Sequence, residues 1–293
     1  MSRVIPLPPR HDLARILGRL SVDDGDVDEI LAGWPRAGDP AGREALERAY
    51  DVLVKDMGGF GPIEQPAPPP DRGPFGRYFY AYVYLAALGE VDRYHRRHGV
   101  PEDVGWATLA DLGRNLRRDR RLFGEGGLRT YAWLSLHFRG GIYELGRLQF
   151  NRMRLRAVHA GGGLREGDDA LGVHIYEGRS LDPAACDASL ARAREFFGRH
   201  FPETPVRVAA CASWLLDEQL AEYLPAESNI IRFQRRFHLV GSVEGDHDIL
   251  RFVFGRIAPD LDELPQRTTL ERAVVAHLRA GKHWRTRVGW LEL

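Results

Sequence analysis

LGVHIYEGRSLDPAACDASLARAREFF, Leu171 to Phe197, is the most informative stretch of this 293-residue chain. Leu171, Val173 and Ile175 alternate with Gly172, His174 and Tyr176, the two-residue period of a strand with two distinct faces. Asp182 is placed to cap a helix, and Pro183 suits its first position, where a missing N–H is no loss. Cys186, Leu190, Ala193 and Phe197 then recur at intervals of four, three and four, so that helix has one apolar face. A second strand-like run, VRVAACASWLLD from Val206 to Asp217, follows. A strand, a glycine loop that opens a helix, and a second strand together present free backbone N–H groups to a phosphate or a thioester carbonyl.

Outward from this stretch the two halves of the chain differ in period. Before about residue 145 the signals are helical: His11 to Leu20, Asp39 to Lys55, and Pro101 to Phe123 around Leu109, Leu112 and Leu116. RYFYAYVYLAAL, 77 to 88, is ambiguous, because its four tyrosines alternate like a strand while Ala81, Leu85, Leu88 and Val91 step like a helix; helix is the reading adopted. PIEQPAPPPDRGP, Pro62 to Pro74, is expected to run as an extended surface loop. After 145 short strands dominate. Gly146 to Leu155 and Leu171 to Glu177 are expected to pair across the glycine-rich AGGGLREGDDALG, and Leu239 to Val243 and Ile249 to Phe254 to flank a hairpin turn at GDHD. Thr268 to Ala280 reads as a helix capped by Thr268 or Thr269, and Thr286 to Leu293 as a closing strand. The class is α+β, a helical half followed by a mixed sheet.

Composition excludes several functions. Apolar residues make up 44% of the chain, a globular value. Lys plus Arg equals Asp plus Glu at 41 each, so no global field draws the protein to nucleic acid or an anionic membrane. All the basic residues except Lys55 and Lys282 are arginine, a bias that suggests a bacterial source and supplies forked donors for phosphates. Cys186 and Cys211 stand in apolar segments without metal-ligand spacing. With no signal-peptide pattern and no run long enough to span a membrane, a reducing cytoplasm is the expected compartment and no metal is expected.

GRLQF (146 to 150), HIYEG (174 to 178), DASLARAREFF (187 to 197), SWLLD (213 to 217), EYLP (222 to 225) and SNIIRFQRRF (228 to 237) together resemble bacterial two-domain acyltransferases. The lipoglycopeptide N-acyltransferases are the best-understood relatives of that family. The resemblance implies a helical N-terminal domain, 1–145, a GNAT-like domain, 146–293, and transfer of an acyl group from acyl-CoA to an amine-bearing small molecule. The oligomeric state is left open.

Such a transfer needs a held CoA, donors for the developing oxyanion, and a base for the ammonium proton. In the GNAT scheme the pyrophosphate sits on N–H groups of the strand-to-helix loop, which here is Glu177 to Leu181. Gly178 permits close approach, Arg179 can meet a phosphate, and Ser180 and Leu181 complete the loop. YEGRSLD departs from the usual GNAT loop in having one glycine and the nearby carboxylates Glu177 and Asp182. His174, just before the loop, is the first candidate base, since an imidazole titrates near neutrality; Glu177 is the second. Ser213 is a candidate to bind the pantetheine arm or protonate the leaving thiolate through water, and Trp214 to wall the acyl pocket. Asn229 and Arg232, with Arg235 and Arg236, offer donors to the 3′-phosphate.

Each assignment has a plainer rival: a strand-to-helix turn, a structural histidine, a core tryptophan, a solvated basic face. The same face is the reading for DRYHRRHG, 92 to 99, and NLRRDRRLF, 115 to 123. Asp246, His247 and Asp248 read as a turn, and Cys211 as a small buried residue. Two rivals for the whole chain are a non-catalytic acyl-CoA-binding sensor with a GNAT fold and a scaffold protein.

Overall fold

The structure, a computed structural model, describes residues 5–34, 40–70, 73–159, 163–256 and 260–293. Asp39, Asp71, Arg72, and Ala160 to Gly162 of the glycine-rich turn lie outside the described residues. Two compact units divide the chain, Met1–Glu144 and Leu145–Leu293.

Helices build the first unit: α1 (Leu13–Arg19), α2 (Asp24–Ala32), α3 (Pro40–Lys55), α4 (Pro74–Arg77), α5 (Phe79–Arg97), α6 (Glu102–Leu109), α7 (Asp111–Phe123) and α8 (Tyr131–Phe138), ending in a short extended segment β1 (Ile142–Glu144). The alternating tyrosines lie in α5 and just before it because the first half of this helix, Phe79 to Ala87, is buried on every side, so a strand-like pattern fits a helix. Their hydroxyls are all donated: Tyr78 to Asp26 Oδ1 at 2.6 Å, Tyr82 to the Ile30 carbonyl at 2.8 Å, Tyr80 to the carbonyl of Pro66, and Tyr84 to that of Tyr131. Tyr80 thereby straps the proline segment, of which residues 62–70 form neither helix nor strand. Two expectations change here. Pro101 to Phe123 is two helices broken at Ala110, and Pro74 opens α4 as its first residue. Arg120, read as part of a solvated face, is bound to the buried Asp26 and to Glu29.

The second unit contains β2 (Gln149–Arg154), β3 (Asp169–His174), α9 (Pro183–His200), β4 (Val208–Ser213), α10 (Asn229–Gln234), β5 (His238–Glu244), α11 (Asp246–Phe254), α12 (Thr269–Arg279) and β6 (Arg285–Glu292). Its strands lie in the order β2-β3-β4-β6-β5. β2 and β3 are antiparallel in the register Asn151↔Gly172 and Gln149↔His174; β4 and β5 each run antiparallel to β6. β3 and β4 are parallel, as a strand-helix-strand crossover through α9 requires. Thr268 and Glu271 form a reciprocal capping box on α12.

The strand expected to reach Glu177 ends at His174. Ile249 to Phe254, expected as a strand after a turn at GDHD, belongs to α11. Asp246 and Asp248 sit in its first turn, favoured by the helix dipole, and Gly255 closes it in the left-handed region at φ 65°. Tertiary bonds fix that start: Asp246 Oδ1 accepts the Trp284 N–H at 2.7 Å, and the Thr286 hydroxyl donates to Asp248 at 3.1 Å. The partner of β5 is β6 instead.

Candidate active site

The pairing of β3 with β4 covers only Leu171↔Ala209 and Gly172↔Ala210, although the strands run on to His174 and Ser213. Beyond Gly172 the two therefore part on the side that leads to the loop before α9. That loop begins at Ile175. Glu177, Gly178, Arg179 and Ser180 are exposed, and Leu181 is buried as its anchor. Gly178 takes φ 94°, where a side chain is strained, with open space where a Cβ would stand. Among the described residues, the backbone N–H groups of Gly178, Ser180 and Leu181 make no hydrogen bond to a backbone carbonyl, while Glu177 and Gly178 form a tight turn.

The loop's carbonyls, by contrast, are held. Arg147, buried at the start of the second unit, donates through Nε to the Ser180 carbonyl and through Nη2 to that of Arg179, both at 2.8 Å. Its own backbone is fixed by α9, where the buried Ser189 Oγ accepts the Arg147 N–H at 2.7 Å. With the carbonyls turned toward a guanidinium, the loop is oriented to offer N–H groups on its other edge.

Helix α9 starts as the sequence indicates: Asp182 Oδ1 accepts the Ala185 N–H at 2.9 Å, with Pro183 in the first helical position. α10 is brought to the same end. Asn229 Nδ2 donates to Ser180 Oγ at 2.6 Å, and Arg236 donates to the Pro183 carbonyl at 3.1 Å and to Asp187 Oδ1 at 2.8 Å. Asn229 and Ser180 are thus in contact across 49 residues of sequence, whereas Arg232 is exposed and ion-paired with Glu227.

His174 closes β3, half-buried, with Nε2 at 2.7 Å from Asn151 Oδ1 on β2. Ser213 ends β4, and its Oγ accepts the Leu215 N–H at 3.1 Å. Trp214 is buried. Cys211 is also buried, which pushes its thiol up to about 12, and burial raises Cys186 as well, so neither is poised as a thiolate nucleophile. Among the described residues no group of three or more His, Cys, Asp or Glu could hold a metal ion.

Arg147, Ser189 and Asn151 escaped the sequence reading. Arg147 lies in GRLQF, but nothing local marks one arginine among many; only the fold sets it under the loop.

Residues 11–140 match the family model of an N-acyltransferase N-terminal domain and residues 142–291 that of a GNAT-like C-terminal domain. The chain is similar to an acyltransferase solved in complex with decanoyl-CoA and teicoplanin, at 42% identity and a TM-score of 0.92, over 100% of this chain and 91% of that one. An acyltransferase solved with decanoyl-CoA is similar at 43% identity and a TM-score of 0.92, over 99% of this chain and 90% of that one. An acyltransferase mutant in complex with octanoyl-CoA gives 42% and 0.90, over 100% and 91%. No match is found among curated protein sequences.

Proposed function

Since the chain belongs to the family that joins an N-acyltransferase N-terminal domain to a GNAT-like C-terminal domain, we propose that it moves a medium-length acyl group from CoA to an amine of a glycopeptide, directly within a ternary complex. It is an acyl-CoA-dependent N-acyltransferase, with residues 1–145 and 146–293 as its two domains. The observation that carries this reading is the parting of β3 from β4 beside a loop in which the N–H groups of Gly178, Ser180 and Leu181 are not used by backbone carbonyls.

The pyrophosphate of CoA lies on the N–H groups of Gly178 to Leu181, with Glu177 at the rim, Arg179 and Ser180 beside the phosphates, and Asn229 and Arg232 toward the 3′-phosphate. The pantetheine arm passes between β3 and β4, along Ser213 and Trp214. A β3 N–H on that edge polarises the thioester carbonyl. The amine attacks the carbonyl carbon, the C–S bond breaks, and CoA leaves as thiolate. His174 accepts the ammonium proton, directly or through water, and Ser213 relays a proton toward the thiolate; Glu177 is the alternative base. Arginine-rich composition and two buried free thiols support a bacterial cytoplasm as the setting. No described helix is long and apolar enough to cross a membrane.

The test is incubation with decanoyl-CoA and teicoplanin, following acylated product by mass and free CoA thiol by colour. Stoichiometric product and thiol support the enzyme. One observation favours an acyl-CoA sensor: the Asp182 carboxylate already occupies the α9 N-terminus. Acyl-CoA binding without turnover of any amine would establish that reading, and absence of both would leave the scaffold.

A further inference from the structure

The geometry points to Asn151 as the positioning residue that fixes the tautomer of His174, leaving the lone pair of the imidazole on Nδ1. The inference deepens the reading of His174 as base and rests on it only for its effect on rate.

Asn151 is buried on β2 and stands opposite Gly172, two residues before His174 on the same face of β3. Diagonal neighbours of this kind are within reach of a long side chain. Gly172 makes the reach possible, because a Cβ built there would collide with Asn151 Oδ1. The amide crosses the space that any other residue would fill.

Its orientation follows from what it touches. Asn151 Nδ2 donates to the Arg152 carbonyl at 2.8 Å, and a carbonyl can only accept. The amide flipped over would set two acceptors against each other. Oδ1 therefore faces His174, 2.7 Å from Nε2, and an oxygen that only accepts requires a proton on Nε2. In the neutral ring the lone pair then belongs to Nδ1. A neutral amide achieves this without a carboxylate's charge, so it selects the tautomer while stabilising the imidazolium less than a carboxylate would.

The experiment is ring-nitrogen NMR of the full chain labelled with 15N-histidine, with the His174 signals assigned by their loss in His174→Gln. In neutral wild type we expect Nε2 to be of the protonated type and Nδ1 of the bare type. Asn151→Ala should abolish that bias and lower kcat about fivefold to tenfold, the scale of one net hydrogen bond, with KM for decanoyl-CoA little changed. A wild-type His174 protonated on Nδ1 overturns the inference whatever the activity, and that spectrum decides the matter even where Asn151→Ala does not fold. Unchanged kcat in a folded Asn151→Ala whose tautomer bias is retained also overturns it. Full turnover by His174→Ala, with wild type protonated on Nε2, sinks the base assignment and leaves the tautomer inference standing.

Discussion

His174 and Gly178, four residues apart, make different demands. General-base assistance contributes about 10²-fold to 10⁴-fold in rate, so His174→Ala is expected to lower kcat by a factor in that range while decanoyl-CoA still binds. Steady-state kinetics beside calorimetric titration checks both halves of the statement, and wild-type turnover in the variant would transfer the role to Glu177. Gly178 holds φ 94° with open space around the missing Cβ, so its constraint is conformational rather than steric. A β-branched residue must leave that region or pay about 1–2 kcal/mol or more. Gly178→Val is therefore expected to shift the loop and weaken CoA binding about tenfold or more in a protein with an unchanged circular dichroism spectrum; equal affinity would remove this loop from the site. The placement of both residues was legible in sequence because each follows from local pattern: an alternating strand and a glycine before a capped helix. The tautomer of His174 was not, since its partner Asn151 lies 23 residues away and meets it only through strand register.

The start of α9 carries two opposed demands at the scale of an element. The Asp182 carboxylate caps the helix, a contact worth about 1 kcal/mol, yet it places negative charge where a pyrophosphate is proposed to bind. Asp182→Ala is expected to lower unfolding free energy by about that amount and to tighten CoA binding, a pair of opposite signs that urea denaturation and calorimetry read separately. Weaker binding in the folded variant would place the phosphates elsewhere. Beneath the loop, Arg147→Met removes both donors to the Arg179 and Ser180 carbonyls. The expected outcome is a rise in KM for acyl-CoA of about tenfold with a smaller change in kcat; the reverse split would show that Arg147 acts on the chemistry. The cap of α9 could be read from Asp182 and Pro183 alone. α11 could not, because six apolar-rich residues fit strand or helix equally, and bonds from Trp284 and Thr286 on a distant segment settle the choice.

Whole-molecule stability should carry a histidine signature from the helical unit. His95 in α5 is buried, which pulls it down to about 4 from the ordinary 6.5. The folded state holds this ring neutral through a window in which the unfolded chain takes up a proton. Its contribution is therefore full above about pH 6.5 and falls as pH drops toward 4, by about 3 kcal/mol in total. Urea unfolding of wild type and His95→Gln at about pH 7.5 and about pH 4.5 checks the sign: wild type should lose more stability on acidification than the variant, and parallel losses would show that His95 is not the titrating group. At this scale the sequence by itself determined the α+β class, the change of period near residue 145, the longer helices, and the strand, loop and capped helix from Leu171 onward. These rest on contacts within a turn or two of the chain, where spacing and capping chemistry act directly. Only the tertiary structure decided that β3 and β4 part after two register pairs, that Arg147 and Asn229 meet the Glu177 to Leu181 loop, and that Asn151 faces His174. Those contacts join residues 23 to 49 positions apart, and strand register and helix packing, not local propensity, bring them within hydrogen-bonding distance.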